Sequence, residues 1–556
     1  MASDPQECFD FVIVGAGSAG CVLADRLSAD GRNRVLVLEY GASDSSIFIK
    51  MPSALSIPMN DPQYNWGYQT EPEPYLDNRV LACPRGKVIG GSSSINGMAY
   101  VRGNPRDFDR WVDEGAAGWA YRDVLPYFRK AETRAAGGDL YRGDSGPLHT
   151  RYGSLKNPLY RAFIAAAKQA GYAETDDING FRQEGFGRLD MTVHNGKRWS
   201  AADAYLKPAM ARPNLAVRTG ALAIGIVFDG NRAVGLRYRQ GGVEKMVGVA
   251  REVIVAGGPI NSPQLLKLSG IGPAKELKAH DIDIVRDLPC VGENLQDHLE
   301  FYFQVAATLP ITLYSSMSLL ARGLIGARWF LFRNGLGATN HFEAGGFIRS
   351  RAGIEYPDIQ YHFLPLAIDY DGGKLATGHS FQAHVGTMRS KSRGHVRLRS
   401  SNPADNPRVV FNYMSHDDDW QEMRACVRLT REIFDQSPLA KYRGREVQPG
   451  AEVTGDAAID AFIRRSVESA YHPACTCRMG DPASPGTVVD PQARVVGIGG
   501  LRVVDSSIMP SITTGNLNAP TIMIAEKAAD HILGRTPLPP SDAPSFVAPD
   551  WRANQR

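Results

Sequence analysis

Cysteine is scarce in this chain: seven in 556 residues, at Cys8, Cys21, Cys83, Cys290, Cys426, Cys475 and Cys477. The number is odd and the spacings suit neither a disulfide framework nor a zinc site, so a reducing compartment is expected and no metal. An excess of one charge is also lacking. Lys and Arg number 62 against 59 Asp and Glu, 62 − 59 = +3, and the basic residues form no runs or stripes, which excludes a nucleic-acid partner. Long hydrophobic runs are missing too, and no stretch is apolar enough to cross a bilayer as a helix. The nearest, Leu319 to Phe332, is interrupted by Arg322 and Arg328. It could lie on a membrane surface. A helix packed on its own protein with snorkelling arginines is the commoner arrangement. The opening Met-Ala-Ser-Asp-Pro-Gln-Glu runs directly into Phe9-Asp10-Phe11-Val12-Ile13-Val14, leaving no room for an export signal. A cytoplasmic protein is expected, with peripheral contact at the inner face of the membrane as the other reading.

What is present is enough for large cores. At 556 residues and 43% hydrophobic content the chain exceeds what one core supports, and two domains are expected. Residues 9 to 41 read as strand, glycine turn, helix, strand. The apolar strand ends at Gly15-Ala16-Gly17-Ser18-Ala19-Gly20, a helix follows through Leu27, and Arg34-Val35-Leu36-Val37-Leu38 forms the next strand, closed by Glu39. Gly15 permits the tight turn, Gly17 close approach of a pyrophosphate, and Gly20 close helix packing, while the helix N-terminus offers its free N–H groups. Glu39, 39 − 20 = 19 residues after the last glycine, suits an adenosine ribose and disfavours a 2′-phosphate, so NADP is not expected. A dinucleotide cofactor is expected.

Two further stretches stand out. Arg85-Gly86-Lys87-Val88-Ile89-Gly90-Gly91-Ser92-Ser93-Ser94-Ile95-Asn96-Gly97-Met98-Ala99-Tyr100 is a loop able to press closely on a flat or phosphorylated ligand. Arg251 to Gly258 reads as a late strand of the same sheet, entering a glycine turn and a helix that ends near Gly272. Near the C-terminus, Tyr471-His472-Pro473 and Gly515-Asn516 supply an imidazole and an amide, 516 − 472 = 44 residues apart. A neutral imidazole suits removal of an alcohol proton, and an amide can hydrogen-bond the oxygen without competing as a base.

With these motifs in place, the chain resembles the glucose-methanol-choline family of flavin oxidoreductases over nearly its whole length. Gly86 through Asp109 looks like the family's first signature, Gly258 through Gly272 like its second, and Tyr471-His472-Pro473 with Gly515-Asn516 like its catalytic region. The likeness is strongest to the choline-oxidising branch, in Tyr64-Asn65-Trp66, Asn340 to Phe347, Ile359 to Pro365, Ser392 to Val396 and Phe411 to His416. The resemblance implies FAD, an α/β fold (α+β overall) with a Rossmann-like FAD domain, and a substrate domain whose antiparallel sheet covers the flavin. It assigns residues 1–155, 210–310 and 465–540 to the first domain, 156–209 and 311–464 to the second, and 541–556 to a tail. Residues 45–79 are the candidate lid.

The resemblance further implies oxidation of a primary alcohol to the aldehyde, with His472 as base, Asn516 beside the substrate oxygen, and hydride passing to flavin N5. To the residues already given for the cofactor, Arg85, Val88, Gly91, Ser92, Asn96, Gly97, Met98 and Ala99 among them, it adds Ala223, Asp505, Ser506, Asn516, Pro520 and Thr521. Glu300, in Leu295-Gln296-Asp297-His298-Leu299-Glu300, matches a carboxylate facing a trimethylammonium group, with Tyr471 as an aromatic face and His362 as a substrate-orienting histidine. Structural roles, a salt-bridged carboxylate and a core histidine, are the other readings of Glu300 and His362.

The chain departs from the choline pattern in three places. Leu319-Leu320 replaces a Trp-Trp pair, giving an aliphatic wall that suits uncharged aliphatic, aromatic or polyether alcohols as well as choline. Ile95 stands where a histidine can bond FAD covalently, so non-covalent FAD is expected. Cys475 stands where glycine is more usual; separated from Cys477 by one residue, it is expected to remain reduced. The expected electron acceptor is a quinone or the respiratory chain, with an oxidase, and more distantly a flavin-containing lyase, as alternatives.

Overall fold

The computed structural model describes residues 7–369, 374–375 and 378–556. Residues 1–6, on which the expectation of no export signal partly rests, lie outside the described residues.

Two seven-stranded sheets organise the chain. In the first, Cys8–Val14 runs parallel to Val35–Leu38 on one side and Val243–Val255 on the other. Leu215–Arg218 extends one edge, and Leu501–Val503 pairs parallel to the end of Val243–Val255. Val35–Leu38 is buried at every residue, as expected of a strand covered on both faces. The helices Ser18–Ser28 and Asn518–Ile532 pack against each other, and Tyr121–Ala131 lies against the latter. Ala221–Asp229, Arg232–Gln240 and Val243–Val255 continue the sheet as an antiparallel meander.

The second sheet is antiparallel throughout, in the order Arg443–Gln448, Leu299–Ala307, Ser380–Thr387, Ile359–Leu364, Ala344–Ile348, Gly185–Arg188, with Glu468–Ser469 also pairing to Leu299–Ala307. Its register aligns Tyr302 with His384 and His384 with His362. Side chains alternate across a strand, so Glu300, Tyr302 and Gln304, Gln382 and His384, and Gln360 and His362 share one face. On the other, Phe301, Phe303, Phe381, Val385, Tyr361 and Phe363 join a buried core with Phe163, Met423, Val427 and Phe434 of the covering helices Pro158–Gln169 and Asp417–Phe434. The expectation that residues 210–310 belong to the dinucleotide half is corrected here for Leu299–Ala307. Its polar/apolar alternation fits a sheet covered by helices on one face only, and the structure places it in the second sheet.

Candidate active site

One cleft runs from the glycine turn to the polar face of the second sheet. At its first end Gly15 takes φ +103°, and a Cβ on Gly20 would lie 1.9 Å from the Gly15 carbonyl oxygen. The helix Ser18–Ser28 starts at Gly17 without a side-chain cap, leaving its first N–H groups for an anion. A Cβ on Gly91 would come within 2.7 Å of the Gly17 Cα, so the two glycine loops close on each other as a cradle only bare backbone allows. Glu39 accepts from Ala16 N and Gly41 N, both at 2.7 Å, and burial raises its pKa. It still lines the cleft, where a carboxylate retains lone pairs for a ribose hydroxyl. These features fit a dinucleotide.

Gly15, Gly17, Ser18, Ala19, Arg85, Gly91, Ser92, Asn96, Gly97, Met98, Ala99, Ala223, Asp505, Ser506, Asn516 and Thr521 also line the cleft. Ala16, Gly20, Val88 and Pro520 are instead packed behind the lining. Asp505 accepts from Gly258 N at 2.9 Å, Ser262 Oγ at 2.6 Å and Ser507 N at 2.7 Å, which ties the turn at Gly257-Gly258 to the short helical turn Ser506–Ile508. Ile95 lines the cleft and packs with Ile49 and Val88.

At the other end, His472 Nε2 lies 3.0 Å from Asn516 Nδ2, and His472 Nδ1 lies 3.1 Å from His298 Nδ1. His298 is fully buried, and its Nε2 lies 3.1 Å from the Met388 carbonyl, which can only accept. Hydrogen-bond logic fixes the rest. His298 Nε2 carries hydrogen, its Nδ1 is a lone pair, His472 Nδ1 donates to it, and His472 Nε2 is left as the basic nitrogen facing the cleft. Burial, with His298, Arg85 and His362 adding to it, lowers the pKa of His472 well below the ordinary value. Burial lowers His298 to about 3 and His362 to about 4. All three rings are neutral at pH 7.

The turn that presents His472 is overdetermined. Tyr471 takes φ +64°, in the left-handed region that a bulky residue avoids. It is held because its N–H donates to Ser469 Oγ at 2.8 Å and its carbonyl accepts from Arg85, while His472 N donates to Asp297 Oδ1 at 2.7 Å. Asp297, fully enclosed, also accepts from Tyr413 OH at 2.6 Å, from Ser469 Oγ and from His298 N at 2.9 Å.

The wall opposite is built from the second sheet. Glu300, Tyr302, His384, His362, Phe342 and Tyr471 line the cleft together. Gln382 Nε2 lies 2.8 Å from His384 Nε2, and His384 Nδ1 lies 2.8 Å from Glu300 Oε1. The amide donates to the imidazole, which donates to the carboxylate. Asn516 Oδ1 sits 3.1 Å from Gln360 Nε2 and 3.2 Å from His362 Nε2. Leu319 and Leu320 are not part of this wall: they are 86% and 75% exposed on a surface helix. That corrects the aliphatic wall expected of them. The adjacent leucines begin a helix whose anchor is Trp329, three turns on. Cys475 and Cys477 are buried free thiols.

Sequence reading missed Asp297, His298, Tyr302 and His384, although the first two lie in the motif quoted for Glu300. It also missed the buried Arg198, whose guanidinium donates to the Asn96 carbonyl at 2.7 Å and Oδ1 at 2.8 Å and to the Ser93 carbonyl at 3.2 Å, clamping the loop before Gly97.

A dinucleotide cradle that ends on a neutral histidine with its basic nitrogen exposed defines a cofactor-dependent oxidoreductase. The family model described as GMC oxidoreductase matches residues 9–300 in its N-terminal part and residues 390–525 in its C-terminal part. The chain belongs to the GMC oxidoreductase family. It is 58% identical over 547 residues to the protein named oxygen-dependent choline dehydrogenase of Brucella anthropi, spanning 98% of this chain and 100% of that one. It is 56% identical to the protein of the same name from Photobacterium profundum, over 99% and 97%. Among solved structures it is similar to pyridoxine 4-oxidase from Mesorbium loti, with TM-score 0.86, 31% identity and coverage of 95% and 99%. Formate oxidase gives TM-score 0.90, 25% identity and coverage of 96% and 99%. The protein is an FAD-dependent alcohol oxidoreductase acting on CH–OH donors.

Proposed function

We propose that the substrate is choline or a close relative, oxidised at its primary alcohol to the aldehyde, with His472 as general base and Asn516 as the oxygen's partner. The observation that carries the base assignment is the hydrogen-bond chain from the Met388 carbonyl through His298, which leaves His472 Nε2 unprotonated toward the cleft. Without substrate, Asn516 Nδ2 donates to that nitrogen; a bound hydroxyl replaces it and loses its proton there. FAD, when bound, accepts the hydride. The glycine turn and helix N-terminus would hold its pyrophosphate, Glu39 its adenosine ribose, and Asn96 to Ala99 with Asp505, Ser506 and Thr521 its flavin half. With Ile95 at the covalent position, the FAD is held without a bond.

Choline is supported by the box opposite the base. Glu300 supplies negative charge among the rings of Tyr302, Phe342 and Tyr471, the combination that holds a quaternary ammonium lacking any N–H. With Leu319 and Leu320 outside the cleft, the aliphatic wall that put uncharged alcohols beside choline as substrates falls away. Leu55, Met59 and Trp66 reach the cleft from 45–79, which supports that segment as the lid. For the acceptor we favour a quinone or respiratory-chain component met at the membrane. Molecular oxygen is the second reading, favoured by the words "oxygen-dependent" in the relatives' name.

The test is anaerobic reduction of the enzyme's flavin by choline beside 3,3-dimethylbutan-1-ol, its uncharged isostere. Choline should bleach the flavin faster, and His472→Ala should slow bleaching by about 10² to 10⁴. A variant within a few-fold of the parent removes the base assignment, and equal rates for the two alcohols remove choline. Oxygen uptake measured against quinone reduction decides the acceptor.

A further inference from the structure

The helix Leu319–Phe332 carries its apolar side chains outward. Leu319 and Leu320 are joined by Leu324, Phe330, Leu331 and Phe332, which are 64%, 58%, 68% and 67% exposed. The buried residue of the helix is Trp329, whose indole N–H donates to the Gly196 carbonyl at 2.6 Å. Singly exposed apolar residues are ordinary, but six large ones on one helix of 14 residues are a surface built for something. At about 1.5 Å per residue this helix is roughly 21 Å long, short of the ~30 Å hydrocarbon layer, so it can lie on a bilayer and cannot cross one.

Charge says which partner fits. Arg322 and Arg328 lie within the helix and Arg333 caps it, its guanidinium 4.1 Å from the centre of the Trp329 ring. From residue 301 to residue 342 the sequence holds no Asp or Glu, so its own stretch offers these arginines no carboxylate. The turn Leu313–Met317 just before the helix packs its Leu313, Tyr314 and Met317 against Leu55, Met59, Tyr302 and Phe342 of the cleft wall.

We infer that this helix docks the protein on a bilayer surface containing anionic lipid, its leucines and phenylalanines entering the headgroup boundary and its arginines meeting lipid phosphates. A second copy of the chain fits less well. A two-fold contact sets the same patch against itself and would crowd arginines together without an intervening carboxylate. Docking here brings the cleft wall next to the lipid, which rests on and deepens the membrane-acceptor reading above, and it does not depend on which alcohol is oxidised.

Vesicle flotation of the FAD-loaded protein tests it. The parent should float with phosphatidylcholine vesicles containing phosphatidylglycerol and stay behind with phosphatidylcholine alone. Arg322→Glu with Arg328→Glu should lower the bound fraction at least about tenfold, and Leu324→Asp with Leu331→Asp should abolish binding. Flavin reduction by the alcohol in vesicle-free buffer should be unchanged in both, showing that the fold is intact. The inference is overturned if the parent ignores anionic vesicles or floats equally with neutral ones, or if the variants float like the parent. It is also overturned if the substitutions merely convert a dimer to a monomer. Failure of the parent to bleach with any alcohol would instead remove the proposed function and leave the docking result standing.

Discussion

Replacing His298 by alanine probes the hydrogen-bond chain behind the proposed base, His472, without touching its Nε2. In the parent, His472 Nδ1–H donates to His298 Nδ1 at 3.1 Å, and this bond holds the tautomer with a free Nε2. In His298→Ala that buried N–H loses its acceptor, at a cost of about 1–3 kcal/mol. The ring escapes the cost by moving its hydrogen to Nε2, the tautomer that cannot take a proton from the alcohol. The base-competent form then falls by roughly 5- to 150-fold, as 1.4 kcal/mol is a factor of ten. His298→Asn offers an amide oxygen near the lost Nδ1 and should recover most of the rate. The assay is single-turnover anaerobic flavin reduction at saturating alcohol, with FAD content measured alongside; the limiting rate should fall while FAD content and half-saturation stay near the parent's. An alanine variant within twofold of the parent, or an asparagine variant as slow as alanine, would refute the tautomer argument.

The same ring gives a pH prediction. His298 sits near 3 in the folded protein against an ordinary value of about 6.5, so folding requires it neutral. Its stability contribution is present above pH 6.5 and lost as pH falls below that value. Between pH 7 and pH 5 the parent should lose about 2 kcal/mol relative to His298→Asn, seen as converging or crossing denaturation midpoints; parallel pH dependences would show that the ring is not held neutral. Glu300→Gln should cut the preference for choline over 3,3-dimethylbutan-1-ol by roughly 30-fold or more, since it removes the half-buried charge partner, and an unchanged ratio of kcat/KM values would rule out the cation site. Acid precipitation should leave FAD in the supernatant, because Ile95 offers no atom for a covalent bond; flavin retained in the washed pellet would contradict this.

Much of this protein is local, and local features are readable. The run Gly15 to Gly20, the strands around it and Glu39 lie within about 30 residues, so backbone freedom and helix-end chemistry announce the cofactor site in one dimension. The polar face of the second sheet is also written locally: Glu300, Tyr302 and Gln304, Gln360 and His362, Gln382 and His384 each alternate with apolar neighbours. Read for period two, that pattern would have placed Leu299–Ala307 in the antiparallel sheet.

What sequence could not supply is which distant residues meet. His298 and His472 are 472 − 298 = 174 residues apart, and the tautomer of His472 depends on the Met388 carbonyl, a group every residue carries and no motif marks. Strand register decided that His384 would stand between Glu300 and Gln382, because a one-residue slip would have turned it into the core. Burial decided the rest. Leu319 and Leu320 read as a wall of the cleft by their chemistry alone, yet the helix they start is anchored through Trp329 and leaves them in solvent. The sequence by itself determined the cofactor and the class of reaction, and it singled out His472 as the residue we propose for the base. The tertiary structure decided the hydrogen bonding of His472, which side chains line the cleft opposite it, and which apolar surface remains exposed, since each depends on contacts between segments far apart in the chain.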